Sequence, residues 1–503
     1  MSTDRTSASG AGAGGTVAEG AGTQLRRTLH LRSVVLFGLA YMAPLIVLGT
    51  YGVVADATDG SVPTAYLLAL LAMLFTAHSY GRMARAYPVA GSAYTYVRRS
   101  IDSRVGFLVG WATLLDYFFL PMVIWLIGAA YLHTQFPSVP NWVWIVAFIV
   151  ITTALNVRGI RTAEAVNYLL MVFQLVVIGT FVVLSLLHVT RAGGAAAVGS
   201  EVPFWHDGTT VGGISSGAAI AAYSFLGFDA VTTLTEETIE PKKTMPRAIL
   251  LTALLGGVIF VVVAYATQLT HPGHSFKDTG SAAFEIAKEI GGSVFSSFFL
   301  AGLIVAQTAS GIAAQASASR LLFAMGRDSV LPHKVFGYVH PRFRTPAVNI
   351  LLTGVIGLIA LKLDVATSTS FINFGAFTAF TFVNLSVVAT WVRVRRRARR
   401  GEGADVGGVL SALLAPLIGA AVDVWLMTHL DRAALILGLS WLVVGILYLT
   451  WLTRGFRVPP PEMDFVEGAH GGPHGESEHG GGASGRGSTG DGDGDQPYAG
   501  LGA

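Results

Sequence analysis

The sequence contains no cysteine, which excludes disulfide bonds, thiolate metal sites and cysteine nucleophiles. Charged residues are also scarce: they make up 13% of the 503 residues, against about 25% in soluble proteins. The net charge of +3 is small for this length and does not indicate nucleic-acid binding. The sequence shows no phosphate-binding loop, and no HExxH or GxSxG motif in a suitable context. The chain is therefore predicted to be neither an enzyme nor ATP-driven, with no cofactor and no metal.

Long apolar runs are what the sequence has in abundance. Hydrophobic residues account for 52% of the chain, and the mean hydropathy is +0.59. Because about 20 apolar residues cross the hydrocarbon core as a helix, we predict an all-α integral membrane protein with twelve transmembrane helices. Their predicted ranges are 33–55, 64–86, 105–132, 141–156, 166–188, 212–236, 248–270, 294–322, 346–362, 368–392, 407–429 and 432–453. The runs are continuous rather than alternating, which excludes a transmembrane β-barrel.

Lysine and arginine are concentrated in every second connection between these helices. They precede the first helix and recur in residues 82–104, 158–161, 242–247, 327–344 and 393–400, whereas the opposite connections carry few. By the positive-inside rule, both termini lie in the cytoplasm. We therefore predict a multi-pass protein of the cytoplasmic membrane, in contact with lipid. Residues 1–30 and the Gly-, His- and Asp-rich residues 456–503 are predicted to be disordered cytoplasmic tails, and residues 31–455 to form the membrane domain.

An aspartate inside an apolar run is the most informative residue. Asp229 lies in the predicted sixth helix, two residues after Gly227. An ionised carboxylate in hydrocarbon costs at least about 2.5–3.5 kcal/mol, so such a residue usually faces protein, water, a cation or a proton path. Gly227, and Pro44 in the first helix, predict that both helices are broken at mid-membrane. The alternative is that both are ordinary kink and packing residues.

Interrupted helices five positions apart in the helix order indicate a particular architecture. They predict two five-helix repeats of inverted topology, with two extra helices, and a substrate site at mid-membrane between the two breaks.

A second acid lies in the predicted third helix. Asp116 is eleven residues after Val105, where that helix is predicted to begin, or about 16 Å deep at 1.5 Å per residue. It could line the site with Asp229, or it could be a structural acid that bonds a neighbouring helix. Asp423 of the eleventh helix is expected near the outer membrane surface and is interpreted as structural.

Aromatic and polar side chains near the breaks are further candidates. Tyr41 and Tyr223 flank the breaks, and aromatic faces attract desolvated ammonium groups by about 0.5–2 kcal/mol. Asn373 of the tenth helix could line a polar pathway or form an interhelical hydrogen bond. Glu236 and Glu237 end the sixth helix, where they could form a cytoplasmic gate or simply a solvated helix end.

Three motifs give the chain a family resemblance. Residues 87–96 (YPVAGSAYTY), 225–229 (FLGFD) and 326–332 (GRDSVLP) resemble the amino acid–polyamine–organocation superfamily. Similar stretches continue through residues 106–117, 225–238 and 371–384, and the resemblance runs from about residue 30 to residue 455. Within the superfamily the chain looks most similar to the bacterial putrescine importers.

The resemblance implies a secondary active transporter of the inverted-repeat fold that imports putrescine or a related polyamine by proton symport. Asp229 matches an acid that serves proton coupling or cation recognition in relatives, and Tyr223 stands at a substrate-contacting position. The substrate-binding residues expected on this basis are Tyr41, Met42, Ala43, Pro44, Asp116, Tyr117, Tyr223, Phe225, Gly227, Asp229 and Asn373. Asp229 and Asp116 are the expected proton-coupling residues, and the expected partners are an amine substrate and protons.

The first helix departs from the family pattern. Many amino acid permeases have a Gly-x-Gly break whose backbone donors hold the substrate carboxylate, whereas this chain has Tyr41-Met42-Ala43-Pro44. A site without that nest suits a substrate without a carboxylate, such as a diamine. An amino acid permease or exchanger of the same superfamily is the first alternative. A membrane receptor that binds a ligand without moving it is the second.

Overall fold

A computed structural model describes residues 27–88, 93–159, 164–328, 330–400 and 408–461, with the backbone alone for residues 164–168. The predictions for residues 1–26 and 462–503 lie outside the described residues, as does the part of the first family motif at residues 89–92.

Helices make up almost all of the described chain, because a backbone in hydrocarbon must satisfy its hydrogen bonds within itself. The helices are α1 (Leu31–Met42), α2 (Ile46–Ala57), α3 (Val62–Ala86), α4 (Ala93–Ser100), α5 (Ser103–Gln135), α6 (Asn141–Val157), α7 (Glu164–Gly193), α8 (Val211–Ala221), α9 (Pro241–Thr270), α10 (Ala282–Arg327), α11 (His333–Phe336), α12 (Ala347–Gly357), α13 (Val365–Arg399), α14 (Ala415–Thr428) and α15 (Arg432–Leu452). A π-helical turn, Leu410–Leu414, leads into α14.

The predicted all-α, multi-span fold is confirmed. The described residues contain nine helical segments long and apolar enough to cross a membrane, and α1 with α2 forms a tenth span bent by 50°. Two shorter apolar helices, Asn141–Val157 and Ala347–Leu361, occupy two more of the predicted positions. The exact count of twelve and the inverted repeat stay predictions.

Two features were not expected from the apolar runs. Helix α4 is amphipathic: Tyr94, Tyr96 and Val97 are buried, while two arginines occupy its last turn. Helix α10 extends well beyond the predicted residues 294–322 and contains a non-helical residue, Gly292, at φ 65°. Both stretches escape a hydropathy reading because their apolar runs are too short to span a bilayer.

The core lies around the two broken helices. Helix α3 packs along α9 and α8, while α5 packs against α13 and α10. The outer surface is apolar: Leu169 on α7 and Leu447 on α15 are each 65% exposed. Large exposed apolar surfaces of this kind are typical of proteins that span a membrane.

A short backbone strap joins the residues before α1 to the end of the sixth-helix segment. The amide groups of Thr28 and Leu29 both donate to the carbonyl of Glu237, at 2.9 and 3.0 Å. The amide of Ile239 donates in return to the carbonyl of Leu29 at 2.9 Å. The strap ties the start of the first helix to the segment that follows the second break.

Candidate functional site

The first helix is broken where Pro44 predicts it. Helix α1 ends at Met42, Ala43 adopts a left-handed conformation with φ 47° and ψ 78°, and α2 begins at Ile46. Pro44 has no amide hydrogen and crowds the preceding turn, which favours a break at this position. The predicted break is confirmed.

The sixth helix is broken where Gly227 predicts it. Helix α8 passes into a 3₁₀ turn, Ala222–Phe225, and Leu226 is extended with ψ 132°. Gly227 then adopts φ 106°, which favours glycine, and a second 3₁₀ segment runs over Ala230–Glu237. Asp229 therefore sits in the turn between two helical pieces, as the sequence predicts.

The two breaks meet. A Cβ atom added to Gly227 would lie 2.3 Å from Cδ1 of Tyr41, so the tyrosine ring rests directly on the glycine backbone. The side chain of Asn373, from α13, donates to the carbonyl of Ala219 at 2.7 Å and to that of Ile220 at 3.4 Å. Asn373 thus adds a side-chain donor to carbonyls in the last turn of α8 and ties that turn to α13.

Asp229 lies among aromatic side chains from three other helices. The hydroxyl of Tyr80 donates to its Oδ2 at 3.4 Å. The Tyr80 ring makes edge contacts with Tyr96, Phe228 and Phe380, at centroid distances of 5.7–6.0 Å. Tyr80, Tyr96 and Phe380 were not among the predicted site residues. Their aromatic character is a weak signal, since aromatic residues are common in any membrane helix.

Asp116 has a different partner. The phenol of Tyr223, from the sixth-helix break, lies in the electrostatic field of the Asp116 carboxylate. Tyr223 is 5% exposed, whereas Asp116 and Asp229 are both half-buried. Intramembrane carboxylates normally face protein, water or a cation, so a role of these residues in one site stays a prediction.

The side chains of three predicted binding residues pack against neighbouring helices. A Cβ atom on Gly256 of α9 would lie 2.5 Å from Cε of Met42, so the Met42 side chain packs on α9. Phe225 is fully buried and makes an edge contact with Phe260 at 5.1 Å. Tyr117 packs against the small core cluster that contains Trp111 and Leu114. These three side chains are therefore part of the packing around the candidate site.

The first break also borders a small cavity. Ala43, Gln174 and Gln307 line a space of about 10 Å³, the size of one water molecule. The Gln174 Oε1 and Gln307 Nε2 atoms are buried and make no hydrogen bond within the described residues. Polar groups therefore converge on the break from α7 and α10.

The predicted gate residues lie at the strap. Glu236 is exposed and Glu237 is half-buried. The backbone carbonyl of Glu237 receives the strap hydrogen bonds from Thr28 and Leu29. The strap hydrogen bonds involve backbone atoms of Glu237 and not its carboxylate. A gating role for the two carboxylates stays a prediction.

Asp423 is enclosed by neighbouring helices. Its side chain is fully buried, and its Oδ2 accepts hydrogen bonds from Thr76 at 3.0 Å and Asn384 at 2.9 Å. Thr76 lies near the middle of α3. Asp423 is five residues from the end of α14 at Thr428, and its expected position near the outer membrane surface stays a prediction.

Comparison with known proteins agrees with this architecture. The amino acid permease family profile matches residues 33–422. The low-affinity putrescine importer of Escherichia coli K12 is 43% identical over 445 residues, which cover 88% of this chain and 97% of that protein. A methylthioribose transporter of Bacillus subtilis is 26% identical over 84% of this chain and 92% of its own length. The cationic amino acid transporter 4 of Mus musculus is 29% identical over 73% of this chain and 60% of its own length.

Proposed function

Because the chain belongs to the amino acid permease family, we propose that it imports putrescine or a related polyamine across the cytoplasmic membrane by symport with protons. The family consists of membrane transporters and not of enzymes, so the proposal starts from the transport of a small molecule across the membrane. The choice of an amine is supported by the 43% identity to a putrescine importer over most of both chains. It is supported independently by the chemistry at the two breaks.

One observation carries the choice of an amine: the first break lacks the glycine-rich loop of a donor nest, and two of its backbone amides are bonded within the break. The amide of Ala43 donates to Ala40 at 3.3 Å, and the amide of Ile46 donates to Ala43 at 2.9 Å. Pro44 has no amide hydrogen. A substrate carboxylate would therefore find little of the donor nest that normally holds such a group. A substrate that carries only ammonium groups needs no such nest.

The proposed binding site lies between the two half-buried acids. A diamine carries one ammonium group at each end, and Asp229 and Asp116 supply one carboxylate each. The rings of Tyr41 and Tyr223 offer aromatic faces, which attract desolvated ammonium groups by about 0.5–2 kcal/mol. Gly227 provides the turn between these elements. The remaining proposed binding residues, which form or support the walls, are Met42, Ala43, Pro44, Tyr117, Phe225 and Asn373.

Proton coupling is the finer part of the proposal. A carboxyl group that loses its water shell favours its neutral form, so Asp229 or Asp116 can exchange a proton as the site closes. The proposal also includes cytoplasmic termini, which follow from the distribution of basic residues. Glu236 and Glu237 are proposed to close the cytoplasmic end together with the strap.

Uptake by purified protein in lipid vesicles tests the function. Labelled putrescine is added outside vesicles whose lumen is less acidic than the external buffer, with empty vesicles as the blank. Accumulation that collapses when the pH gradient is dissipated is the expected result. No uptake above empty vesicles, with arginine or another amino acid accumulated instead, would contradict the proposed substrate.

The alternative of an amino acid exchanger is favoured by the similarity to a cationic amino acid transporter. An exchanger needs substrate on both sides of the membrane, whereas a symporter takes up substrate into empty vesicles. Uptake that requires preloaded arginine or lysine would therefore support this alternative.

A further inference from the structure

A third intramembrane acid lies outside the site described above. Asp423 is fully buried between α3, α13 and α14, whereas Asp229 and Asp116 are half-buried. It contacts Thr76 of α3 and Asn384 of α13, and these three residues are called the polar trio. A Cβ atom on Gly419 would lie 2.9 Å from both amide atoms of Asn384, so the trio sits in a close-packed junction of helices.

The Asp423 carboxyl has neither a basic partner nor a full set of donors. Its Oδ2 accepts both hydrogen bonds of the trio, while Oδ1 is buried with no partner among the described residues. None of the ion pairs found in the described ranges includes Asp423. A permanently charged carboxylate in this position would be very unfavourable, because several kcal/mol of hydration are lost and not replaced.

The trio can hold the carboxyl in both protonation states. When it is charged, the Thr76 hydroxyl donates to Oδ2. When it is neutral, the carboxyl proton can be donated to the same Thr76 oxygen, because a hydroxyl group both donates and accepts. The Asn384 amide is 3.1 Å from Thr76 and 2.9 Å from Asp423, so it can donate to either. An enclosed carboxyl of this kind has room for a proton but not for an ammonium group.

Tyr80 links the trio to the candidate substrate site. It follows Thr76 by one turn of α3, and its hydroxyl donates to Asp229. Its phenol lies in the electrostatic field of both Asp229 and Asp423. The low dielectric inside a helix bundle screens such charges less than water does. The protonation of one acid is therefore felt by the other without a hydrogen-bonded chain between them.

Few other titratable groups face the trio. On α3, His78 and Arg82 turn to Ser411 at the beginning of the eleventh span, at 3.0 Å each. Tyr66 and Arg85 lie towards the two ends of the same helix. Helix α13 carries no ionisable side chain between residues 365 and 392, and Val211–Ala221 and Leu410–Thr428 contribute none besides Asp423. Asp229 and Asp423 are therefore the main ionisable groups close to Tyr80.

We propose that Asp423, in place of Asp229 or Asp116, takes up and releases the coupling proton, which leaves Asp229 and Asp116 to hold the two ammonium ends of the amine. This inference rests on the proposed symport. Its physical basis is that closing the bundle removes the remaining water, so both kinds of acid must be neutralised before the closed state forms. The proton neutralises Asp423, and the substrate neutralises Asp229 and Asp116.

The test compares driven uptake with exchange in the full-length protein in vesicles. One pH unit corresponds to about 1.4 kcal/mol, so a one-unit gradient can support about tenfold accumulation per proton. Asp423→Asn should abolish this accumulation and the linked proton entry, read with a pH dye in the lumen. It should keep counterflow of labelled putrescine at equal pH, because the amide imitates the neutral acid. Asp207→Asn, at an exposed loop position, is the matched control.

Thr76→Val is the second variant, in case Asp423→Asn does not fold. It preserves side-chain volume and should lower driven accumulation while counterflow persists. Thr180→Val is its control, since the Thr180 hydroxyl bonds only the Val176 carbonyl of its own helix.

Several results would overturn the inference. Normal driven accumulation and proton entry in Asp423→Asn, or in Thr76→Val if the first variant is unfolded, would leave the trio a structural role. A folded Asp423→Asn protein without counterflow would place Asp423 in substrate movement itself. Wild-type uptake driven by sodium and lost in Asp423→Asn would assign the trio to a metal cation. Absence of putrescine uptake in the wild type contradicts the proposed function, and the variants are then compared with the substrate that is transported.

Discussion

The ring of Tyr41 lies against the backbone of Gly227, so that a single added methyl group would come within 2.3 Å of its Cδ1 atom. This contact joins the two helix breaks. There are thus two reasons for a glycine at the second break. Its backbone has a φ of 106°, and the tyrosine ring occupies the space that a side chain would need.

Gly227→Ala should therefore reduce transport strongly. The left-handed backbone alone costs an alanine roughly 1–2 kcal/mol, and the clash must also displace Tyr41 from the site. We expect more than a tenfold loss of putrescine uptake with the protein still present in the membrane. Gly179→Ala, on α7, has no atom within 4 Å of its new methyl group and serves as the control. Equal uptake by the two variants would show that the contact between the breaks is dispensable.

Asp229→Asn should abolish binding of putrescine and therefore both driven uptake and counterflow. The substitution preserves shape and the Tyr80 hydrogen bond but removes the charge that attracts an ammonium group. Loss of counterflow is the readout that separates Asp229 from Asp423. Asp207→Asn again reports any general effect of losing an acid. An Asp229→Asn protein with normal counterflow would exclude Asp229 from the amine site.

Putrescine and ornithine form a matched pair, because ornithine is putrescine with one additional carboxylate. The first break offers fewer backbone donors than a glycine-rich nest, so the carboxylate is desolvated without full replacement of its hydrogen bonds. A buried polar group left in this way costs about 1–3 kcal/mol, which predicts roughly 5- to 150-fold weaker competition by ornithine. Competition by both compounds against labelled putrescine is the measurement. Equal potency would favour an amino acid carrier.

Asn373→Ala should lower stability modestly and uptake more. The two carbonyls at Ala219 and Ile220 lose their donor, and interhelical hydrogen bonds in membranes average about 0.6 kcal/mol. The larger effect is on the break, which loses its tether to α13. Thermal unfolding in detergent and uptake are measured together, with Thr180→Val as the reference. A lower melting temperature with unchanged uptake would make Asn373 purely structural.

The breaks could be read from the sequence because they depend on backbone chemistry. Pro44 lacks a donor, and Gly227 tolerates a positive φ, and both properties belong to the residue itself. Helix ranges were similarly accessible: the third span was predicted at 105–132 and is observed at Ser103–Gln135. The family resemblance, drawn from three short motifs, is confirmed by the match to residues 33–422.

Side-chain partners could not be read in the same way. Tyr80 is 149 positions from Asp229, and Thr76 is 347 positions from Asp423. Their contacts depend on which face each helix turns inward, and apolar residues on every face hide that choice.

The strap at Leu29 and Glu237 couples the start of the first helix to the end of the sixth, so we expect these two parts to move together. Three backbone hydrogen bonds join them, and breaking all three would cost about 3 kcal/mol at roughly 1 kcal/mol each. A movement of both parts together keeps the three hydrogen bonds and avoids this free-energy cost. In a chain without native cysteine, a bond between Leu29→Cys and Thr238→Cys should therefore leave uptake intact. Loss of uptake on oxidation, recovered on reduction, would show that the two arms must part in every cycle.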